Sequence, residues 1–559
     1  MAANSVLAAL RAVATACHAA VWSFSDEQAD QGIAVADGLR ALFLPPPAAA
    51  APAVQPQFVR LLQLLPQEIL SDILSHLDTR DLARLAATCR LLWRDARAPP
   101  PRPLPLLRPM GLVETELRRR ATGRGLHIGV SLPEGALSWV TYLLKHSLRD
   151  AMRREAPLAV ASNLSLFVDA GGRLLTCGIE NLQPGNTQPK LLLGHDWGLD
   201  VEPLEPRHIG PPRLVPSLQD RRVVSVAAGD WHCLALSREG EVYSWGDGRC
   251  GSLGHADGVA RSVPSRVESL SRIESIAAGP TEVSAAVDEV GRLFTWGRAG
   301  RHAKKTGAAV PTGLGYEFDP EIDSQLTPKW VDTLSEARVV GAALGSGFTL
   351  AVTDAGTVFS FGYSRHGALG HASLEVEVLP RRIEALALTG RRLVAVAAGL
   401  FHALALTEEG ELYAWGHPSP SGHGPNQTLQ AIPRQVAALA GERVRHAAAG
   451  HTSSCVVTEK GELFTWGSGE FGHLGHGSAT GEWMPKRVEG LRGVTVVAAD
   501  ISGGHTLVVD EDGGVWAVGL RKAAGLSDSD EPQGPVLQPT QLPALRVRAR
   551  KSPDALPFR

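Results

Sequence analysis

Aromatic residues make up only 5% of this 559-residue chain, and its six cysteines (Cys17, Cys89, Cys177, Cys233, Cys250, Cys455) are scattered without a Cys-x-x-Cys pair. Such spacing gives no support to a disulfide framework or a zinc site of close Cys/His ligands, and it fits a reducing compartment. No apolar run approaches the roughly 20 residues that cross a bilayer, so no membrane partner is expected. Charge of one sign is also lacking. With 55 Lys+Arg against 58 Asp+Glu, no global field draws the chain to nucleic acid or to anionic lipid. The local basic cluster Arg546, Arg548, Arg550 and Lys551 reads as a solvated tail, and the compartment expected is cytoplasmic, nuclear or both.

Catalytic signatures are missing as well. There is no Gly-x-Ser-x-Gly, no His-Glu-x-x-His, and no Gly-x-Gly-x-x-Gly in a strand-to-helix context. The stretch GRHAKKTG at 300–307 imitates a phosphate loop, but an alanine stands where the second glycine should precede Lys304. The expectation is a non-catalytic chain with no cofactor and no metal.

What is abundant is glycine (59) and proline (38), which favours short elements joined by tight turns. Two proline-rich breaks, at 43–57 and 98–109, cannot build a core and read as linkers. The N-terminus holds Arg11 as its one fixed positive charge and has no basic region ahead of an apolar core, so it reads as an ordinary helix and not as a targeting peptide. In 136–154, Leu137, Val140, Leu144 and Leu148 share one helical face. Residues 1–57 are therefore an N-terminal helix and Pro/Ala-rich linker, 58–97 a compact unit, and 98–157 a second linker with a connecting helix. Residues 158–551 form the main module, and 552–559 a tail.

That module repeats itself. A strand-like phrase ending in glycine occurs seven times, and the residue before the glycine is Cys177, Trp245, Trp296, Phe361, Trp415, Trp466 or Val518, at spacings of 68, 51, 65, 54, 51 and 52. A second phrase, Pro-x-x-[Val/Ile/Leu]-x-x-Leu, begins at Pro212, Pro264, Pro328, Pro380, Pro433, Pro485 and Pro539, spaced 52, 64, 52, 53, 52 and 54. Two phrases with one period make a true repeat. Four strands of five or six residues plus turns fill about fifty residues, the size of one β-propeller blade. Period-two alternation and frequent glycine argue against a helical solenoid of similar period. The prediction is a mainly β fold, a seven-bladed β-propeller. If each unit begins at its Pro-x-x-Val strand, the strand at 539–545 has no blade of its own and pairs with the first blade, at 158–172, to shut the ring and remove two exposed edges.

The residues of 229–255, GDWHCLALSREGEVYSWGDGRCGSLGH, resemble a regulator-of-chromosome-condensation (RCC) repeat, and 399–416 matches its first part. Copies one, three and seven are degenerate. The unit at 58–97 resembles an F-box, a small all-α domain: Leu65, Pro66, Glu68, Ile69, Leu70, Ile73, Leu74, Leu77, Asp81, Leu82, Leu85, Cys89 and Arg90 fit its pattern, with Trp93 at the end. So many apolar residues exceed what forty residues bury internally, which points to a partner. The resemblance names it: a Skp-family adaptor tied to a cullin scaffold, gripped through Leu65, Pro66, Ile69, Leu70, Ile73, Leu74, Leu77, Leu82, Leu85 and Trp93. The implied role is the substrate-recognition subunit of a cullin-type ubiquitin ligase, whose propeller loops capture an unknown target protein.

Two other roles follow from the RCC resemblance alone. One is guanine-nucleotide exchange on a small GTPase, against which stand the F-box and the lack of a basic arm. The other is ultraviolet-B sensing, for which the Gly-Trp-Arg-His-Thr signature is absent, although Trp231, Phe401, Thr452 and Ser453 lie near the corresponding histidine positions. The repeated histidines (His195, His255, His371 and His476 in Leu-Gly-His loops; His232, His402 and His505 on strands) are spread around a ring, too far apart to share one ion. They read as hydrogen-bonding groups, and Trp245, Trp296, Trp415 and Trp466 as inter-blade core. The two long units place their extra residues in 179–211 and 298–327, the candidate target-contacting segments.

Overall fold

The computed structural model describes residues 156–547, apart from 181–191, 197–206, 303–308, 312, 318–322, 364–365, 426–427 and 527–533. Seven four-stranded antiparallel sheets follow one another along the chain. Blade 1 consists of Leu158–Ala161, Leu164–Val168, Leu174–Glu180 and Arg207–Leu214; blade 2 of Val223–Ala228, His232–Ser237, Val242–Gly246 and Arg261–Arg266. Blades 3 to 6 cover 273–330, 339–382, 393–435 and 444–487, and blade 7 consists of Val496–Ile501, His505–Asp510, Gly514–Gly519 and Val536–Arg546. First strands from all seven sheets line one channel, with Ala161, Ala227, Ala228, Ala277, Ala278, Ala343, Ala398 and Ala449 at its wall. Small residues are needed there because seven strands converge. Second strands of blades 2 to 7 are buried along their whole length, packed between neighbouring sheets as fully covered strands must be.

The order of strands within a blade differs from the expectation. The Pro-x-x-Val strand is the fourth, outer strand of the preceding blade and not the first of the next. Val536–Arg546 pairs with Gly514–Gly519 of its own blade, and blade 1 has its own fourth strand, Arg207–Leu214. Among the described residues no strand is exchanged to shut the ring; an isolated bridge, Asp169 to Val547, joins the end of the last strand to blade 1.

The register explains why the two sequence phrases share a period: they face each other. In blade 2, Ser244 pairs with Ser265 and Gly246 with Arg261, so the outer strand bulges past Trp245 and the bulge contains Pro264. The same jump brackets Pro485 opposite Trp466 and Pro433 opposite Trp415. Proline offers no N–H, and it sits where the ladder is interrupted. It also blunts an outer edge that would otherwise invite another strand.

A third phrase completes the joint. The indole Nε1 of Trp245, Trp296, Trp415 and Trp466 donates to the carbonyl of Leu192, Ser252, Ala368 and Pro420, one blade back, at 2.7–2.8 Å. Each acceptor lies two residues before the glycine of that blade's Leu-Gly-His loop or its counterpart. At Gly422, φ is +77°, and an added Cβ would lie 2.8 Å from Trp466 Nε1 and 3.3 Å from Pro485. Aromatic, proline and glycine thus form one clasp at each of these four blade boundaries, which is why the phrases recur together. All four indoles are 0% exposed, so they are core and not a ligand cage.

The ring shuts by a smaller version of the clasp. Cys177 replaces tryptophan in blade 1, and a Cβ at Gly525 of blade 7 would meet its Sγ at 2.7 Å. Ser165 of blade 1 donates to the Ala523 carbonyl at 2.7 Å and meets His505 Nε2 at 2.7 Å. Val160 N–H donates to Asp500 of blade 7 at 3.0 Å.

Candidate functional site

Seven copies in one chain form an internal alignment, and the places where they disagree mark the face that carries specificity. In a four-stranded meander, the first-to-second and third-to-fourth connections emerge at one end of the sheet. At the opposite end, the second-to-third turns are uniform, each with a glycine at φ +78° to +89° (Gly172, Gly240, Gly291, Gly356, Gly410, Gly461, Gly513). At the first end, the residue before the second strand is in turn Asn163, Trp231, Glu282, Gly347, Phe401, Thr452 and Gly504. Three residues before the Leu-Gly-His of blades 2, 4 and 6 stand Cys250, His366 and Phe471. A rigid ring holds these varied residues on one surface.

At the channel mouth on this face, three distant segments meet. Ser162 Oγ donates to Asp230 Oδ1 at 2.7 Å, and His451 Nε2 lies 3.2 Å from the same oxygen and 3.5 Å from Ser162 Oγ. The backbone continues the closure: Leu400 N–H donates to the His451 carbonyl at 3.1 Å, and Ser346 N–H to that of Leu400 at 3.2 Å. Serine, histidine and aspartate together suggest hydrolysis, but the geometry denies it. A relay needs one imidazole nitrogen for the serine and the other for the carboxylate; here both meet Nε2, and the serine donates to the aspartate directly. The cavity beneath is about 80 Å³, against the roughly 300 Å³ or more of ligand pockets. The mouth is a structural closure with room for a few waters.

Outside the mouth lie two different sectors. Across blades 2 and 3, Arg298 Nε donates to Glu282 at 2.7 Å, and its Nη2 reaches Cys250 Sγ at 2.8 Å. Burial, followed by the Glu282 carboxylate, pushes the Cys250 thiol up to about 11, so it stays protonated and unreactive. Across blades 4 and 5, the His366 ring lies 4.4 Å from Phe401 and 5.7 Å from His417. Trp231, Phe401, His451 and Thr452 are half-buried, and Phe471 is 42% exposed. No cluster of three or more metal-ligating side chains occurs among the described residues.

The residues expected to hold an adaptor, Leu65 through Trp93, lie outside the described residues. The long segments 179–211 and 298–327 both leave from third-to-fourth connections, on the varied face; within the second, Gly300–His302 pairs with Ala309–Pro311 in a short hairpin. The strand histidines bridge blades: His232 Nε2 to Ser284 Oγ at 2.7 Å, His402 to Ser454 at 2.8 Å, and His505 to Ser165. Burial lowers His232 to about 4 and His402 and His505 to about 3, so all three are neutral. The loop histidines bond within their own blades: His195 to Thr176, His255 to Ser244, His371 to Ser360 and His476 to Thr465, at 2.8–3.1 Å. Sequence reasoning missed the serine partners and two stand-ins, His423 on the Ala414 carbonyl and Tyr316 on that of Thr295. A signal existed: Ser284 and Ser454 each lie 52 residues, one period, beyond their histidine.

Comparison with known proteins fits this architecture. Residues 191–236, 239–285, 355–406 and 460–509 match the regulator of chromosome condensation (RCC1) repeat, and 62–96 match an F-box-like domain. The human E3 ubiquitin-protein ligase HERC2 is 37% identical over 325 residues, 57% of this chain and 6% of that protein. The Arabidopsis thaliana ultraviolet-B receptor UVR8 is 34% identical over 283 residues, 50% of this chain and 61% of the receptor. The chain thus spans less than two thirds of either relative. Among solved structures, Prp20p from Saccharomyces cerevisiae superposes with a TM-score of 0.54 at 21% identity, covering 74% of this chain and 90% of that one. That likeness concerns the fold alone.

Proposed function

We propose that this chain, a ring of RCC1 repeats with an F-box-like segment ahead of it, is the substrate-recognition subunit of a cullin-type ubiquitin ligase. The observation that carries the reading is the presence of both parts in one polypeptide. A propeller alone is compatible with many activities; an adaptor-binding segment tied to a binding disc needs a second protein at each end. HERC2, similar over 57% of this chain, is named as a ubiquitin ligase, which supports the same pathway. The F-box-like segment docks on a Skp-family adaptor through Leu65, Pro66, Ile69, Leu70, Ile73, Leu74, Leu77, Leu82, Leu85 and Trp93. The varied face of the ring, with Trp231, Phe401 and Phe471 and the long connections of blades 1 and 3, captures the target protein. The ring supplies no chemistry: its serine–histidine–aspartate cluster is not a relay, and burial raises the thiols of Cys177, Cys250 and Cys455 and keeps them protonated. Its contribution to transfer is to hold the target near the charged ubiquitin carrier.

The test is co-purification of the full chain with a Skp-family adaptor. Wild type retains the adaptor, and Leu70→Asp with Ile73→Asp loses it while the ring melts unchanged. A wild-type chain that never retains adaptor or cullin overturns the reading.

A further inference from the structure

The inference rests on the ligase-receptor reading and concerns what the receptor withholds from the reaction. The chain has nine lysines against 46 arginines, and residues 1–144 contain fourteen arginines and no lysine. Ubiquitin transfer needs an amine lone pair. The amine attacks the thioester carbonyl of carrier-bound ubiquitin, a C–N bond forms and the C–S bond breaks. The carrier's cysteine leaves as a thiol, taking up through solvent the proton that the amine loses. A guanidinium stays protonated throughout the physiological range and cannot attack. An arginine therefore keeps the charge of a lysine without its acceptor chemistry.

The described lysines are mostly engaged. Lys460 Nζ lies 2.9 Å from both oxygens of Glu442, and hydrogen bonding to that carboxylate raises its pKa and keeps the amine protonated. Lys329 Nζ sits 4.2 Å above the Tyr316 ring, and Lys486 is paired with Glu482. Lys522 is exposed, in the turn after the third strand of blade 7. We infer that the chain is built as a poor ubiquitin acceptor, so that transfer in its own complex falls on the captured target.

The experiment uses the full chain co-purified with adaptor, cullin and RING subunits, supplied with ubiquitin, activating enzyme, carrier and ATP. Wild type is compared with a variant carrying Arg102→Lys, Arg108→Lys, Arg118→Lys, Arg119→Lys, Arg120→Lys and Arg124→Lys, in the segment between F-box and ring. The modified fraction of the receptor should rise several-fold in the variant, with the new conjugates mapped by mass spectrometry to the introduced lysines and adaptor retention unchanged. If the variant retains the adaptor and is modified no more than wild type, the lysine inference fails and the ligase reading survives. If wild type assembles with no adaptor, both fail.

Discussion

His505 Nε2 and Ser165 Oγ lie 2.7 Å apart, buried, although 340 residues separate them. The pair joins the last blade to the first, and Ser165 passes the bond on to the Ala523 carbonyl. Ser165→Ala leaves two buried groups without their partner and should cost about 1–3 kcal/mol, read as a lower midpoint in denaturant at constant slope. An unchanged midpoint would show that the seam is held elsewhere.

Acid should loosen the ring through its buried imidazoles. Burial holds His232 and His473 at about 4, and His402 and His505 at about 3, whereas an unfolded histidine titrates near 6.5. Below that value, the unfolded chain takes up protons that the folded chain refuses. Stability is therefore full above pH 6.5 and declines as pH falls toward 4, by up to about 1.4 kcal/mol per unit for each group. Denaturation midpoints between pH 8 and pH 5 check the sign; a flat profile from pH 7 to pH 5 contradicts it.

The clasp can be separated from glycine's backbone freedom. Gly422 and Gly493 both have positive φ, +77° and +86°, but a Cβ at Gly493 meets nothing within 4 Å, whereas one at Gly422 meets the Trp466 indole at 2.8 Å. Gly493→Ala should cost only the left-handed penalty of about 1–2 kcal/mol. Gly422→Ala should cost about 1–3 kcal/mol more, because overpacking is added. Equal losses in thermal or denaturant unfolding would remove the clasp from the account.

Two alanines carry strain that the repeat itself shows how to relieve. Ala256 (φ +68°) and Ala372 (φ +61°) take left-handed backbone to donate their N–H groups to the Leu326 and Ala431 carbonyls on the next blade's outer strand. In blade 6, Gly477 does the same, donating to the Leu537 carbonyl of blade 7. Ala256→Gly and Ala372→Gly relieve about 1–2 kcal/mol of strain and lose about 0.4–1 kcal/mol to unfolded-chain entropy. Each should therefore leave stability equal or raise it by up to about 1.6 kcal/mol, seen in melting temperature. A clear fall would mean that the methyl groups pack.

The number of blades and the role of the tryptophans were legible in the sequence because two phrases recur at one period. Where each blade begins was not. Cutting a cyclic repeat at a different strand leaves every spacing unchanged, so periodicity cannot distinguish Pro212 as the start of one blade from Pro212 as the end of another. The pairing of Thr176 with Arg213 and of Gly178 with Ile209 decides it. The varied surface was hidden for a related reason: Trp231, Phe401 and Phe471 share a face only once it is known at which end of the strands each connection emerges. The histidine bridges were half visible, since imidazoles on strands suggested hydrogen bonds but the acceptors stood a full blade away.

Because every blade is contiguous in the chain, each sheet can pair its strands as soon as its own residues leave the ribosome. Blade 1 is different at its outward side. Ser165 and Cys177 wait for His505, Ala523 and Gly525, which at about 5–20 residues per second arrive roughly 20–70 s later. Throughout that interval the nascent protein is an open arc with one bare apolar flank, and this unfinished flank is where a holding chaperone would find it.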